Sequence, residues 1–539
     1  MAHDHEDKNS NIKVAFVLNV TIKSGKPTTL VVGWIARFKN LCLSNLIFYH
    51  IINLYILKKA RQAMSKPTFV LTLKLNTEKY QEDILNKRLE IGRQIYNACL
   101  NELFKRYRTM KQSKLYQEAL KMKKTKERNK QFRKINKAFG LTEYSLHDFV
   151  KPIQHHFKKN IDSQACQKIA SRCFDAFENK LYNPKIKVRF KRYGTFNSLE
   201  GKSNGTGIKY REQRLKWNKL DIPILIKKKD DYAKEAIENK IKYCRILRKT
   251  IRGKEKYYIQ LILEGIPPEK ERTTKNQKVG LDIGTRTIAI VSNQEVKLLE
   301  LAPKIDNLEN KKLVLLRKLD RQRRSNNPNN FNDNGTIKKG IKLKWDHSKK
   351  YLKTKLELKE IMRKQKALRK QSHEKLANYI ISLGNQVYVE DMNFKGLQRR
   401  AKKTTVNKKT GRFKKKKRFG KSLSNKAPAK LIGIINRKLN YLGKEILKVN
   451  TWKVKASQYN HIDNSFKKKK LNERWHIIDG NKIQRDLYSA FLIMNVKDNL
   501  EEIDKNSCNK FYKKFKENHQ KEIKRIKTSK IKTLASMGV

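Results

Sequence analysis

The chain has 539 residues, with 128 Lys or Arg against 50 Asp or Glu and a formal net charge of +78. That length exceeds a single compact core and points to roughly two to four domains. A charge excess this large excludes a self-sufficient neutral globule. It calls for a polyanionic partner, nucleic acid foremost, because each neutralised phosphate releases a counterion and strengthens binding.

The cysteines, at 42, 99, 166, 173, 244 and 508, form no C-x-x-C pair, and no signal-peptide pattern is present. Reduced, buried thiols in a cytoplasmic protein are expected. Residues 1–63 lack the charge texture of the rest and read as a non-homologous extension or an over-long translation, with the fold beginning near Met64. Within that stretch Leu41 to Leu57 is apolar but falls short of the ~20 clean residues a spanning helix needs. Ser44, Asn45, His50 and Asn53 interrupt it, so no stable membrane association is expected.

Residues 67–75 alternate as a strand, and Asn76 or Thr77 offers a helix cap. Ile84, Leu85, Leu89, Ile95, Leu103 and Phe104 follow at helical spacing. Lys-rich helical sequence then runs to Tyr182, where Ile169, Cys173, Phe174 and Phe177 mark an inner face. Beyond Asn183-Pro184 come short alternating runs, IKVRF, LDIPILI, YCRILRKTI and KYYIQLIL, as in a small antiparallel barrel or sheet. Segments 64–76 and 183–270 are therefore assigned to one β domain, interrupted by a helical domain over 77–182. In IKVRFKRYGTFNS, Arg189, Lys191 and Arg192 interleave with Phe190, Tyr193 and Phe196, a pattern suited to phosphates and unstacked bases.

The stretch 278–496 carries the chemistry. VGLDIGTRTIAIV reads as a hairpin over 278–292 turning at Gly284-Thr285, with Asp282 between two glycines that leave room for an ion and a phosphate. A helix over 345–383 follows, its stripe formed by Leu358, Ile361, Leu368, Leu376 and Ile380. Strand 386–390 in QVYVEDMNF ends on Glu390, preferred to Asp391 because Glu390 shares a face with Tyr388. Arg399 to Arg418 then holds twelve Lys or Arg in twenty residues and no acid. Arg399, Arg400, Lys402 and Lys403 are its leading candidates for phosphate contact. Helix 427–442, strand 445–449 and the helix of QRDLYSAFLIMN, opening at Asp486, complete an order compatible with a ribonuclease-H-like α/β core. Ser489 and Ala490 are small enough to let that last helix approach a sheet, and 497–539 reads as a basic tail.

Asp282, Glu390 and Asp486 are remote in sequence. Brought together, three carboxylates suit a pair of hard cations ~3.5–4 Å apart, two Mg²⁺ ions, which makes them candidate metal ligands and catalytic groups. The D-x-G-T of Asp282 also opens the phosphate loop of actin- and sugar-kinase-like ATPases, but no convincing second Gly-rich loop follows.

At these residues the chain resembles the TnpB (OrfB) family of transposon-encoded RNA-guided nucleases, ancestors of type V CRISPR effectors. The resemblance spans about Met64 to Val496 and rests on LDIGTRTIAI, VYVEDMNFKGL and RDLYSAFLI. It implies a multidomain α/β plus β-barrel fold, in which a wedge-like β-barrel carrying a helical recognition domain precedes a RuvC-type, ribonuclease-H-like nuclease. It also implies that Asp282, Glu390 and Asp486 bind metal, and that a guide RNA directs cleavage of double-stranded DNA. An RNA-guided DNA-binding protein without cleavage and a DNA-joining transposase are the alternatives. Family members carry a four-cysteine zinc ribbon between the Glu and the last Asp, and the matching stretch 451–482 has no cysteine. His461 and His476 cannot close a tetrahedral site alone, so no structural zinc is expected and Phe466, Trp475 and Ile477 are expected to hold that lobe by packing.

Overall fold

The computed structural model describes residues 67–183, 186–268, 276–399, 405–407, 411, 419–468, 470, 473–529, 534–535 and 537–539. The expectations for residues 1–63 and for Leu41 to Leu57 lie outside them. Among the described residues no helix is long and apolar enough to cross a membrane.

Strand β1 (Thr68–Leu75) alternates exposed and buried residues along its whole length, as its period-two pattern requires. Helix α1 (Lys79–Gln112) follows, capped by Glu78 rather than Asn76 or Thr77. The Glu78 N–H donates to the Gln81 side chain, so the first turn closes on itself one or two residues later than expected. Helices α2 (Lys114–Lys121), α3 (Lys126–Ala138), α4 (Glu143–His156) and α5 (Ser163–Tyr182) complete the helical insertion. The β segments resume with β2 (Ser198–Glu200), β3 (Lys209–Arg211), β4 (Arg214–Trp217), β5 (Leu220–Leu225), a short helix α6 (Asp231–Ile237), β6 (Ile241–Ile251) and β7 (Lys254–Glu264). With β1 they form one sheet ordered β2-β6-β7-β1-β5-β4-β3. Its strands do not close a hydrogen-bonded barrel. The sheet curls instead, with Asn204 bridging the β3 backbone at Tyr210 and the Cys244 thiol on β6.

Helices and sheet share one hydrophobic core, from Phe69 and Leu85 through Phe177 to Leu263. Arg88 of α1 is buried against the sheet, stacked over the Trp217 ring at 4.3 Å and donating to the Trp217 and Asn218 carbonyls. Trp217 in turn donates to Asp162, the cap of α5. IKVRF joins no ladder. At Lys191, the residue after it, the N–H donates to Asn97 of α1 and the carbonyl accepts from Asn97 and Arg93, so there side chains take the bonds a neighbouring strand would have made.

The second sheet is built from β8 (Lys278–Ile283), β9 (Thr287–Ser292), β10 (Val296–Glu300), β11 (Gln386–Glu390) and β12 (Leu447–Val449). Its order is β10-β9-β8-β11-β12, an antiparallel meander continued by two parallel strands. Helices α7 (Asp306–Asn326) and α8 (Lys349–Leu383) connect β10 to β11. Short helices α9 (Phe394–Leu397) and α10 (Gly420–Lys426), then α11 (Pro428–Tyr441), connect β11 to β12. Past β12 come α12 (Thr451–Val454), the hairpin β13 (Trp475–Ile478) and β14 (Asn481–Gln484), α13 (Arg485–Met494) and α14 (Lys505–Thr528). One face of the sheet, with Val279, Leu281, Val387 and Val389, packs on Ala377 and Ile380 of α8 and Leu431 and Ile435 of α11. The other, with Ala289 and Tyr388, packs on α13 and α14.

Three expectations are corrected. On α8 the residues Leu358, Ile361, Leu368 and Leu376 are only half-buried, and the buried line also takes in Thr354, Gln365 and His373. Those polar groups are paired: Gln365 donates to Glu309, and His373 meets the Lys426 carbonyl. Residues 505–528 are no tail. Cys508, Tyr512, Phe515, His519 and Ile526 bury one face of α14, hidden in the sequence by the lysines of the other. Glu522, its side chain 1 % exposed, accepts from the Leu298 N–H on edge strand β10 and pairs with Arg525 and Lys297, sealing the edge. Gly280, read as room for an ion, is instead where α13 meets β8. A Cβ there would stand 2.0 Å from the Ala490 carbonyl oxygen and 2.6 Å from the Met494 nitrogen. Gly280→Ala is therefore expected to cost about 3 kcal/mol or more, by analogy with overpacked cores, as read by urea denaturation of the full chain.

Candidate active site

The three acids converge from three elements. Val389 of β11 pairs in parallel with Leu281 of β8, so the next residues along, Glu390 at the end of β11 and Asp282 one residue before the end of β8, lie on neighbouring strands on the α13 side of the sheet. Asp486 lies in the first turn of α13, the helix that Gly280 admits against β8. All three keep some access to solvent. Asp391, the alternative to Glu390, is exposed and pairs with Lys448 at 3.2 Å, which leaves Glu390 as the inward acid.

The charges of this group interact. Burial, then the charges of Glu390 and Asp486, hold the Asp282 carboxyl well above the usual carboxylate range. Burial likewise raises Glu390. An all-carboxylate donor set in which Asp282 and Glu390 resist ionisation has the chemistry of a hard-cation site such as Mg²⁺. As the side chains stand, no group of three His, Cys, Asp or Glu among the described residues is arranged as a metal cage, this trio included. The Asp486 carboxylate is engaged otherwise. Arg485 reaches one oxygen at 3.2 Å, and Arg474 the other at 3.5 Å. Sequence reasoning fixed on acids and missed both arginines; Arg485 beside Asp486 in the QRD stretch was the available signal.

The basic candidates divide. Arg189, Lys191, Arg192 and Tyr193 are all exposed on the irregular segment before β2, Tyr193 at 82 %. Phe196 of the same stretch is buried in the core. Arg399 is exposed just past α9, whereas Arg400, Lys402 and Lys403 lie outside the described residues. A further cationic group went unnoticed in the sequence because its members come from three elements. Burial, then Lys370 and Lys366 of α8, lower the Lys249 ammonium on β6. Burial, then Arg369, Lys366 and Lys370, lower Lys430 on α11, against the opposing pull of Glu374. Cations crowded in this way lose repulsion when a polyanion arrives.

The side chains expected to hold the stretch at the zinc-ribbon position do so only in part, Phe466 meeting the Tyr459 ring at 5.0 Å and Trp475 the His519 ring at 6.3 Å. Phe466 and Ile477 are exposed, and Trp475 is half-buried, donating to the Gly538 carbonyl. His461 sits in the core instead, fully buried, its Nδ1 2.6 Å from the Tyr488 hydroxyl and its ring 4.7 Å from that of Tyr512. Burial pushes its pKa down to about 4, and that of His519 likewise.

No protein-family model matches the chain, and no curated protein does. Among solved structures it is similar to a Cas12f1–sgRNA–target DNA complex, at 13 % identity and a TM-score of 0.43, over 80 % of this chain and 99 % of that one. It is also similar to a CRISPR–Cas12f ternary complex, at 14 % identity and a TM-score of 0.22, over the same shares. Likeness this loose does not establish a common fold.

Two pH effects follow. Asp282 binds its proton more tightly folded than unfolded, so it lowers stability as pH rises above the unfolded carboxylate range. Asp282→Asn is expected to raise the melting temperature at pH 7.5 without divalent ions, and the gain should vanish near pH 4. His461 behaves oppositely. Its folded pKa of about 4 lies below the unfolded value, so stability is lost as pH falls from about 6.5 toward 4. His461→Phe should flatten that acid limb in pH-dependent melts.

Proposed function

We propose that this chain is an RNA-guided DNA endonuclease of a transposable element, hydrolysing phosphodiesters with two Mg²⁺ ions at Asp282, Glu390 and Asp486. The observation that carries the reading is the meeting of three acids from β8, β11 and α13, with Glu390 and Asp486 close enough for their charges to bear on Asp282. Strand order β10-β9-β8-β11-β12, with an acid at or next to the end of each of two adjacent parallel strands, supports a ribonuclease-H-like core.

Bound Mg²⁺ would lower the pKa of an attacking water and stabilise the leaving oxygen. The protein's own residues supply the frame. Strands β8 and β11 fix Asp282 and Glu390 side by side, and the tight α13 contact fixes Asp486 opposite them. Lys249, Lys366, Lys370, Arg369 and Lys430 hold backbone phosphates, as do exposed Arg189, Lys191, Arg192 and Arg399, while Tyr193 offers a ring for stacking. Sequence is then read by base pairing with a guide RNA rather than by side chains. Within this reading no zinc is required, because buried His461 and its aromatic neighbours fill the position of the ribbon.

A second reading, guided DNA binding without cleavage, draws on the engagement of Asp486 by Arg474 and Arg485. Incubating the chain and its co-purifying RNA with a matched plasmid separates the two. Cleavage with Mg²⁺ is expected, and Asp282→Ala, Glu390→Ala or Asp486→Ala should each lower its rate about 10³-fold or more, the scale of losing several kcal/mol of charge stabilisation. Guide-dependent binding with no cutting at any Mg²⁺ concentration would favour the second reading. Full activity in Asp282→Ala would remove the assignment of the site.

A further inference from the structure

Asp486 is the one acid of the trio whose oxygens are both in contact with cationic side chains. Arg485 approaches Oδ1 with Nη2 at 3.2 Å and Nε at 3.3 Å, and Arg474 approaches Oδ2 with Nη1 at 3.5 Å. Neither arginine is a loose surface group. Their side chains are 13 % and 24 % exposed. Arg485 Nη1 also donates to the Glu473 carbonyl at 3.1 Å, and the Arg485 N–H donates to the Arg474 carbonyl at 2.9 Å. Gly538 packs so closely that a Cβ on it would lie 2.3 Å from the Arg474 Cβ. The Glu473 carbonyl thus holds the Arg485 guanidinium, and Gly538 confines the stem of Arg474. Their charges also bear on Asp282, opposing the effects of burial and of the other two acids.

We infer that Arg474 and Arg485 form a clamp on Asp486 that competes with divalent cations, so that metal loading of the site waits on nucleic acid. The inference rests on the metal-dependent nuclease reading and adds to it a regulation of the same site. A carboxylate embraced on both oxygens by guanidinium groups has to shed at least one of them before it ligates an ion of charge +2. Phosphodiester oxygens are the natural competitor, because a guanidinium binds phosphate through the same fork it presents to a carboxylate. A nucleic-acid strand laid across the site would draw Arg474 or Arg485 onto its phosphates and free Asp486. In the absence of a strand the trio lacks its third ligand. Arg474 and Arg485 are positioning residues in this scheme: they act on the metal through Asp486.

The test measures Mn²⁺ binding by the full chain, freed of nucleic acid in high salt, using electron paramagnetic resonance to count free ion. It is repeated with a short phosphorothioate DNA strand present. Wild-type protein is expected to bind Mn²⁺ about tenfold more tightly with the strand, the equivalent of about 1.4 kcal/mol. Arg474→Gln should show that tighter binding without the strand and gain little when it is added. If Arg474→Gln melts early, Arg474→Lys replaces it, keeping charge and packing but not the fork, with a smaller tightening expected. Strand-free affinity that is unchanged or weaker in the folded variant would overturn the clamp. Asp486→Asn separates this from failure of the parent reading. Mn²⁺ binding that Asp486→Asn weakens but Arg474→Gln leaves alone removes only the clamp; binding indifferent to Asp486→Asn removes the metal site itself.

Discussion

One steric constraint organises the second lobe: α13 lies on β8 with no room for a methyl group between them. Gly280 is what permits it, and the Ala490 carbonyl is what fills the space. Everything at the candidate site inherits its geometry from that contact. The opening turn of α13 lies beside the ends of β8 and β11, so Asp486 faces two acids almost a hundred residues or more away in sequence. The same approach buries Leu487, Tyr488 and Phe491 beneath the sheet, where α14 covers them in turn. Packing and site are therefore one structure. A helix held a few ångströms further out would lose both its core and its acid.

Against that frame the electrostatics are under tension in two directions. Three carboxylates are pressed together until Asp282 resists ionisation, within a chain whose overall charge is +78. Elsewhere Lys249 and Lys430 are pressed among other cations from α8. Each arrangement is costly alone and each is relieved by a partner of opposite sign, a divalent cation for the acids and a phosphate backbone for the lysines. Arg474 and Arg485 stand between the two regimes. They are cations already placed on an acid of the trio, and their guanidinium forks suit the phosphate that would replace it.

Much of this was legible in the sequence where local pattern and tertiary need agree. The β1 alternation, the inner face of α5 and the β8–β9 hairpin turning after Ile283 all follow from residue spacing. Reading failed where a side chain did the work of a backbone, or the reverse. The IKVRF stretch has strand texture, but Asn97 and Arg93 take the backbone bonds of Lys191, the residue that follows it. Gly280 was read as space for a ligand because a sequence does not show which neighbour will enter it. The lysines of α14 disguised a buried face, and the stripe of α8 was misplaced because Gln365 and His373 can be buried once Glu309 and the Lys426 carbonyl receive them. Arg474 and Arg485 escaped notice because their meaning depends on which oxygen they touch.

The central claim is that Asp282, Glu390 and Asp486 gather hard cations at one point. The most direct measurement is anomalous scattering from Mn²⁺ in crystals of the chain bound to a non-cleavable nucleic acid. The account predicts two peaks about 3.5–4 Å apart, both ligated by these carboxylates, with Arg474 or Arg485 turned to a phosphate. Peaks elsewhere, with the three acids unligated and Asp486 still gripped by its arginines, would contradict it.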